Sequence, residues 1–230
     1  MYNKFLKRFL DIILSAIALV VLSPVLIIIA ILVRVKIGSP VIFKQVRPGI
    51  KGKDGKEKLF TLYKFRTMTD LRDEDGNLFP DDDRMTRLGD KLRATSLDEL
   101  PELWCILKGD MSIIGPRPQL VRDMVFMTEE QRKRHDVRPG LSGWAQVNGR
   151  NAIVWEDKLN FDLEYLEKQS LWMDIKIVLI TVIKVIRTES ISFEGRATAE
   201  DFGDYLLRTG KITKEEYDAK QLEAKALLGE

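Results

Sequence analysis

Apolar positions run almost unbroken near the start of the chain and split into periodic stripes after it. From Ile12 to Val33, 22 residues are interrupted only by Ser15, Ser23 and Pro24. As a helix the run reaches about 33 Å, close to the hydrocarbon thickness of a bilayer. It is too long for a signal-peptide core, and no A-x-A-type cleavage site follows. The segment is therefore expected to stay and to hold the protein at a membrane. Ser23-Pro24 falls mid-run, where proline removes a backbone donor and a neighbouring serine can satisfy the freed carbonyl. Cations flank both ends: Lys4, Lys7 and Arg8 before, Arg34, Lys36, Lys44 and Arg47 after. Positive charge marks the cytoplasmic side. A kinked spanning helix and a re-entrant hairpin that leaves where it entered both satisfy this pattern, and both put the C-terminal body in the cytosol.

Beyond the run, PVIFKQ (40–45) and the alternation from Leu59 to Tyr63 predict two strands paired as a hairpin across RPGIKGKDGKEK, a basic, Gly-rich turn region. DLRDEDGNLFPDDDR reads as a solvated acidic loop; its acids lack calcium-loop spacing. Short helices are predicted over 88–93 and, from the spacing of Leu100, Leu103, Trp104 and Leu107, over 100–107, ended by Gly109. MSIIGPRPQL is an apolar run into a rigid turn, 128–136 a charged helix begun by Thr128, RPGLSGWAQVNGRN a turn-rich stretch, and 155–169 a helix. Residues 171–187 are nearly all apolar, with Asp174, Thr181, Lys184 and Thr188 on one stripe. That pattern suits either a core helix or an amphipathic helix lying in a membrane surface. Two more helices are expected in the polar tail, around 199–208 and 214–228.

Composition narrows the class. Hydrophobic residues make up 45%, enough for a folded core, and a net charge of +2 is too mild to argue for nucleic acid. The single cysteine, Cys105, rules out an internal disulfide and reads as a small core residue. His135, the only histidine, lies in the basic run RKRHDVR and reads as solvated surface.

Candidate chemistry centres on TSLDELPE (95–102). Ser96 and Glu99 match an S-x-x-E capping box. The same stretch can also present a reactive acid: a carboxylate at a helix start sits in a positive field, can attack phosphorus, and can hold Mg²⁺. Adjacent helical residues diverge by about 100°, so Asp98 and Glu99 have different tasks. Lys64, Arg66, Arg93, Arg117, Arg138 and Arg150 recur in or beside turn-rich segments. Guanidinium groups fork around phosphate oxygens, and the prolines beside Arg117 pre-aim its side chain. Neither a P-loop nor a strand-linked G-x-G-x-x-G occurs.

With Ser23-Pro24, YKFRTM (63–68), SLDELPELWCILKGDMSIIGPRP (96–118) and VRPGLSGWAQVNGRN (137–151), the chain resembles the bacterial sugar transferases over roughly residues 1–190. More narrowly, it resembles their small monotopic members, the polyprenol-phosphate phosphoglycosyl transferases. The resemblance implies an α/β, mostly helical, monotopic membrane protein on the cytoplasmic face of the bacterial plasma membrane. It implies a re-entrant helix-break-helix over 1–36, turning at Ser23-Pro24. A catalytic domain over 37–197 would carry a small β-hairpin and interfacial amphipathic helices. It further implies a UDP-sugar donor, undecaprenyl phosphate as acceptor, membrane lipid as surroundings, UMP as product and Mg²⁺ as cofactor. Asp98 would be the nucleophile and a metal ligand, Glu99 its partner acid, Pro116-Arg117-Pro118 the nucleotide-associated motif and Arg93 a phosphate contact. The tail over 198–230 either packs on the body or mediates self-association. A homo-oligomer and downstream glycosyltransferases are the candidate protein partners. Two rival readings are a membrane-bound nucleotide-sugar hydrolase using the same acids and a non-catalytic membrane module.

Overall fold

The computed structural model describes residues 2–149, 154–186 and 200–229. A π-helical turn (Tyr2–Leu6) leads into α1 (Lys7–Val21), and α2 (Ser23–Lys36) follows at a bend of 62°. The bend lies where the proline predicts it. Pro24 sits in the first turn of α2, where its missing N–H costs nothing, and Ser23 Oγ donates to the carbonyl of Val20 at 2.7 Å. Among the described residues no single helix is long and apolar enough to cross a membrane; only this bent pair is, taken together.

α1 is inside-out for a helix surrounded by water. Its buried residues are Lys7, Asp11 and Ser15, at i, i+4, i+8, while Phe9, Ile17 and Val20 are exposed. The buried stripe bonds to the body. Lys7 pairs with Asp174, which also accepts from Tyr2 and from Tyr165. Asp11 Oδ1 accepts from Ile113 N–H at 2.9 Å and from Ser112 Oγ at 3.1 Å. Arg8 donates to the carbonyls of Ile106 and Leu107 at 2.6 and 2.8 Å. Lys7 and Arg8, which look like topological flank charges in one dimension, are thus bound within the protein. α2 returns to the same body, where Ile29 and Val33 pack with Phe65 and Leu92.

The expected hairpin is present. β1 (Ile42–Lys51) pairs antiparallel with β2 (Glu57–Phe65), in register from Ile42 opposite Phe65 to Pro48 opposite Leu59. β1 extends through RPGIK, which the Gly/Pro content assigns to the turn. In a two-stranded sheet every strand is an edge, so Pro48 costs no interior ladder bond, and an irregularity between Pro48 and Lys51 absorbs the rest. The acidic loop is exposed as expected, with α3 (Asp81–Arg84) at its end, and α4 (Arg87–Ala94) is capped by Thr86.

A single 3₁₀ turn (Leu97–Glu99) precedes α5 (Glu102–Lys108), which ends at Gly109 with φ 102°. α5 lays Leu103, Cys105 and Ile106 against Leu62 and Met111, so Cys105 is core as expected. β3 (Ser112–Ile114), the apolar run before the proline turn, pairs in parallel with β4 (Gly140–Ser142), which lies in the stretch read as turn-rich. Between them lie α6 (Val121–Met124), α7 (Glu129–Arg132) capped by Thr128, and a 3₁₀ turn (Lys133–Asp136). α8 (Trp144–Asn148) and α9 (Trp155–Lys168) follow. α10 (Leu171–Ile186) is not a core helix: it turns Asp174, Ile177 and Thr181 inward and leaves Trp172, Leu179 and Ile183 exposed. The tail forms α11 (Phe202–Arg208) and α12 (Lys214–Leu228), both packed on the body.

His135 corrects an expectation. It is buried, with Nδ1 3.1 Å from Glu57 Oε1, and burial pushes its pKa down to about 4. Arg132 pairs with the same carboxylate, and Arg134 reaches Asp162. The basic run looks solvated in one dimension, yet Arg132, Arg134, His135, Asp136 and Arg138 all have long-range partners.

Gly140 sits where two chains nearly touch: an added Cβ would lie 2.1 Å from Gly115 N. Gly140→Ala is expected to force the β3–β4 bridge apart and destabilise the fold by about 1–3 kcal/mol. Chemical denaturation read against the parent checks this; an unchanged midpoint would count against the close approach.

Candidate active site

The acidic stretch is not a capping box. Ser96 adopts φ 56°, ψ 19°, and its side chain makes no cap bond. This is the single positive-φ non-glycine residue among the described residues. A side chain in the left-handed region costs about 1–2 kcal/mol. What it achieves is a sharp exit from α4, which throws the next three residues into the 3₁₀ turn. Pro101 then stands immediately before α5, where no amide donor is needed.

The turn sends its two acids to different neighbours. Glu99 accepts from Lys64 Nζ at 2.7 Å and from Arg117 Nη2 at 2.5 Å. Burial opposes its charge, but the charges of Arg117 and Lys64 outweigh that and hold it well below the usual carboxylate range. The Glu99 charge in turn drives the Arg117 guanidinium above its ordinary value. Asp98 is buried, and its pKa is raised, first by burial and then by the neighbouring Glu99 charge; Lys64, Arg93 and Arg117 pull against both. These cations, rather than the field of a helix start, favour the ionised acid.

A third acid joins them. Glu102, 1% exposed, lies 3.1 Å from Lys64 Nζ, and burial lifts its pKa to about 7. Glu99 and Glu102 have i, i+3 spacing, which was the readable signal for this residue.

The turn at Pro116, Arg117 and Pro118 is held at all three carbonyls. Pro116 O accepts from Gly140 N–H at 2.9 Å, Arg117 O from Arg134 Nη2 at 2.6 Å, and Pro118 O from Arg47 Nη1 at 3.2 Å. Arg134 is itself fixed by Asp162, its Nε donating at 2.9 Å with both side chains buried. Asp162 was visible in the sequence as a charge on the stripe Trp155, Leu159, Asp162, where a buried acid needs a partner.

A cavity of about 580 Å³ opens beside the acids. Its wall includes Ser96, Leu97, Glu99, Arg117, Lys158 and Asp162 on one side and the α10 residues Val178, Thr181 and Val182 on the other. The wall passes along Leu97 and Glu99, with Asp98 set behind them among the cations.

Of the residues expected to form a site, Lys64, Arg93, Asp98, Glu99 and Arg117 converge, with Pro116 and Pro118 bracketing the last. Arg93 Nε donates to Thr67 Oγ1 at 3.1 Å. Arg66 is engaged elsewhere, by the carbonyls of Ser39 and Met68 and by Asp70. Arg138 donates to Gly109 O at 2.8 Å, at the end of α5 away from the acids. Arg150 lies outside the described residues. Folding adds Lys158, Arg134, Asp162, Glu102 and Arg47, of which Asp162 and Glu102 carry a local signal in the sequence.

Such a site, with paired acids, clustered cations and a mostly apolar cavity, suits transfer of a phosphate-bearing group. The family model for bacterial sugar transferases matches residues 2–188, and the chain belongs to that family. It is 50% identical over 197 residues to a protein named uncharacterized sugar transferase EpsL of Bacillus subtilis, covering 86% of this chain and 95% of that one. It is 42% identical to the UDP-glucose:undecaprenyl-phosphate glucose-1-phosphate transferase of Escherichia coli, covering 79% of this chain and 40% of that one. A UDP-N-acetylgalactosamine-undecaprenyl-phosphate N-acetylgalactosaminephosphotransferase of Aeromonas hydrophila is 38% identical, covering 84% and 45%. The chain thus spans nearly all of EpsL but less than half of the other two.

Glu102 sets a pH test. Its folded pKa of about 7 lies above the ordinary 4.5, so the folded chain holds a proton that the unfolded chain has released. Stability from this group is present below pH 4.5 and is lost as pH rises towards 7. Relative to Glu102→Gln, the parent is expected to lose stability between pH 4.5 and 7 and to run parallel above it. Urea unfolding of both proteins across that range decides; parallel curves throughout would remove Glu102 as the buried proton holder.

Proposed function

We propose that this protein transfers a sugar phosphate from a UDP-sugar to undecaprenyl phosphate, releasing UMP and leaving undecaprenyl-diphosphate-sugar. The observation that carries the reading is the Asp98–Glu99 turn, with Glu99 gripped by Lys64 and Arg117 beside a mostly apolar cavity. Relatives named for this reaction with glucose and N-acetylgalactosamine donors support it.

In this reading the Asp98 carboxylate attacks the sugar-linked phosphorus of the donor. The bond from that phosphorus to the bridging oxygen breaks and UMP departs, leaving a phosphosugar on the aspartate. A phosphate oxygen of the lipid acceptor then attacks the same phosphorus, the acyl-phosphate bond breaks, and the carboxylate is restored. Lys64 and Arg117, both paired with Glu99, offset the negative charge of the diphosphate. Magnesium fits the donor set. Among the described residues no three acid, histidine or cysteine side chains form a metal cluster, but Mg²⁺ is commonly held by one or two carboxylates plus substrate phosphates. With Glu99 committed to two cations, Asp98 is the acid that would supply an oxygen. The ion, when bound, withdraws charge from the diphosphate.

The setting we propose is the cytoplasmic face of the plasma membrane, with α1 and α2 as a re-entrant anchor. α1 buries a polar stripe, and both helices expose apolar faces, which suits an apolar surrounding. Both arms of the bend contact the same body, through Lys7, Arg8 and Asp11 on one side and Ile29 and Val33 on the other. A bilayer cannot separate two ends tied to one body. The exposed face of α10 and the exposed Trp104 and Trp172 suit the same interface.

Two experiments test this. Purified protein with Mg²⁺ and a panel of UDP-sugars, without lipid, is expected to gain a phosphosugar by intact mass and to release UMP; undecaprenyl phosphate then discharges the adduct. Asp98→Asn is expected to stay folded and lose turnover by more than about a thousandfold. Retained activity would remove Asp98 as nucleophile, and UMP with free sugar phosphate but no adduct would indicate a hydrolase. For topology, a cysteine replacing Asn3 in a Cys105→Ser background is expected to stay shielded from an impermeant thiol reagent in intact cells. Labelling from outside would refute the re-entrant anchor.

A further inference from the structure

The family model ends at residue 188, before the tail helices begin. The tail nonetheless makes buried, specific contacts with α6, which follows the Arg117 turn, and with α9, which carries Lys158 and Asp162 of the cavity wall. Asp123, 2% exposed, lies in α6, the short helix that starts three residues after Pro118. Its Oδ2 accepts from Leu120 N–H at 3.1 Å, and its Oδ1 accepts from Phe202 N–H at 2.8 Å, 79 residues away. One carboxylate thus joins the exit of the Arg117 turn to the first residue of α11.

Phe202 also reaches α9. Its ring centroid lies 5.0 Å from that of Trp155, the first residue of α9, and both side chains are buried. Trp155 Nε1 donates to Glu200 O at 3.1 Å, and Tyr205 Oη donates to Glu156 at 2.8 Å. One and two turns further along α9 are Lys158 and Asp162, which line the cavity. Gly203 allows the fit: an added Cβ would lie 2.4 Å from the Phe126 ring. α12 closes the strap by packing Ala224 on Val121, Met124 and Val125.

We propose that the tail is a strap that fixes the separation of α6 and α9, and that Asp123 and Phe202 are positioning residues for the donor side of the active site. The physical reason is that α6, by following the Arg117 turn, and α9 position separate parts of one wall. Arg117 precedes α6, while Lys158 and Asp162 ride on α9. The Arg134–Asp162 pair joins them near the cavity, but α6 is only one turn long and has little rigidity of its own. Its outer contacts come from the tail. This inference rests on the transferase reading for its kinetic consequence but not for its structural one.

The test uses the full chain carrying Phe202→Ala or Asp123→Asn. Hydrogen exchange over residues 116–124 and over the start of α9 is expected to speed up. The KM for the UDP-sugar is expected to rise about tenfold, with kcat and the KM for undecaprenyl phosphate little changed. Asp123→Asn removes no packing volume and carries the test if Phe202→Ala yields no folded protein. A lowered melting temperature with unchanged exchange over 116–124 and an unchanged donor KM would overturn the proposal and leave the tail as ordinary packing. A parent protein with no turnover on any UDP-sugar would sink the transferase reading, while the exchange comparison would still decide the strap.

Discussion

The Glu99 carboxylate binds Lys64 at 2.7 Å and Arg117 at 2.5 Å, so it ties strand β2, the acidic turn and the proline-flanked turn at one point. These segments lie 35 and 18 residues from Glu99 in the chain. Three acids, Asp98, Glu99 and Glu102, face three cations, Lys64, Arg93 and Arg117, in the electrostatics of this cluster. With Glu102 titrating near 7, the cluster is close to neutral or slightly positive at physiological pH. That balance offsets most of the cost of burying these charges. Removing one partner from such a cluster strands a buried charge, which typically costs about 3–5 kcal/mol. The acids and cations are therefore elements of the fold as much as of the chemistry.

The N-terminal helices depend on the same economy of buried polar groups. Asp11, Lys7 and Arg8 satisfy backbone and side-chain groups of β3, α10 and α5. In water, a helix with its polar stripe inside and its apolar residues outside would be a liability; against lipid it is a joint. The joint holds the bent pair against the floor of the catalytic body, and α10, docked on Asp174, shares both the outer apolar face and the cavity wall.

Much of this was legible from local pattern. The Ser23-Pro24 break, the hairpin, α4, α5, α9, α10 and α12 follow from proline chemistry, alternation, helical spacing and caps. The acid turn and the arginine between two prolines stood out for the same local reasons. Other features were misread because their partners are remote. Ser96 looks like a cap but is a left-handed corner, since the chain must leave α4 abruptly. His135 looks like surface because its neighbours are basic, yet Glu57 receives it. Arg66 and Arg138 share the local signs of Arg117 but bond to backbone elsewhere.

The sequence by itself determined the elements and the family, because helix periodicity, strand alternation and long motifs are properties of neighbouring residues. It also determined that a long apolar run must be shielded from water. Tertiary structure decided which charges act together. Lys64, Glu99 and Arg117 come into contact only when β2, the acidic turn and the Pro116–Pro118 turn fold onto one another. Arg134, Asp162 and Glu102 join them for the same reason. Ion pairs and hydrogen bonds form over a few ångströms in space, whatever the distance along the chain, so the chemistry of the site belongs to the fold.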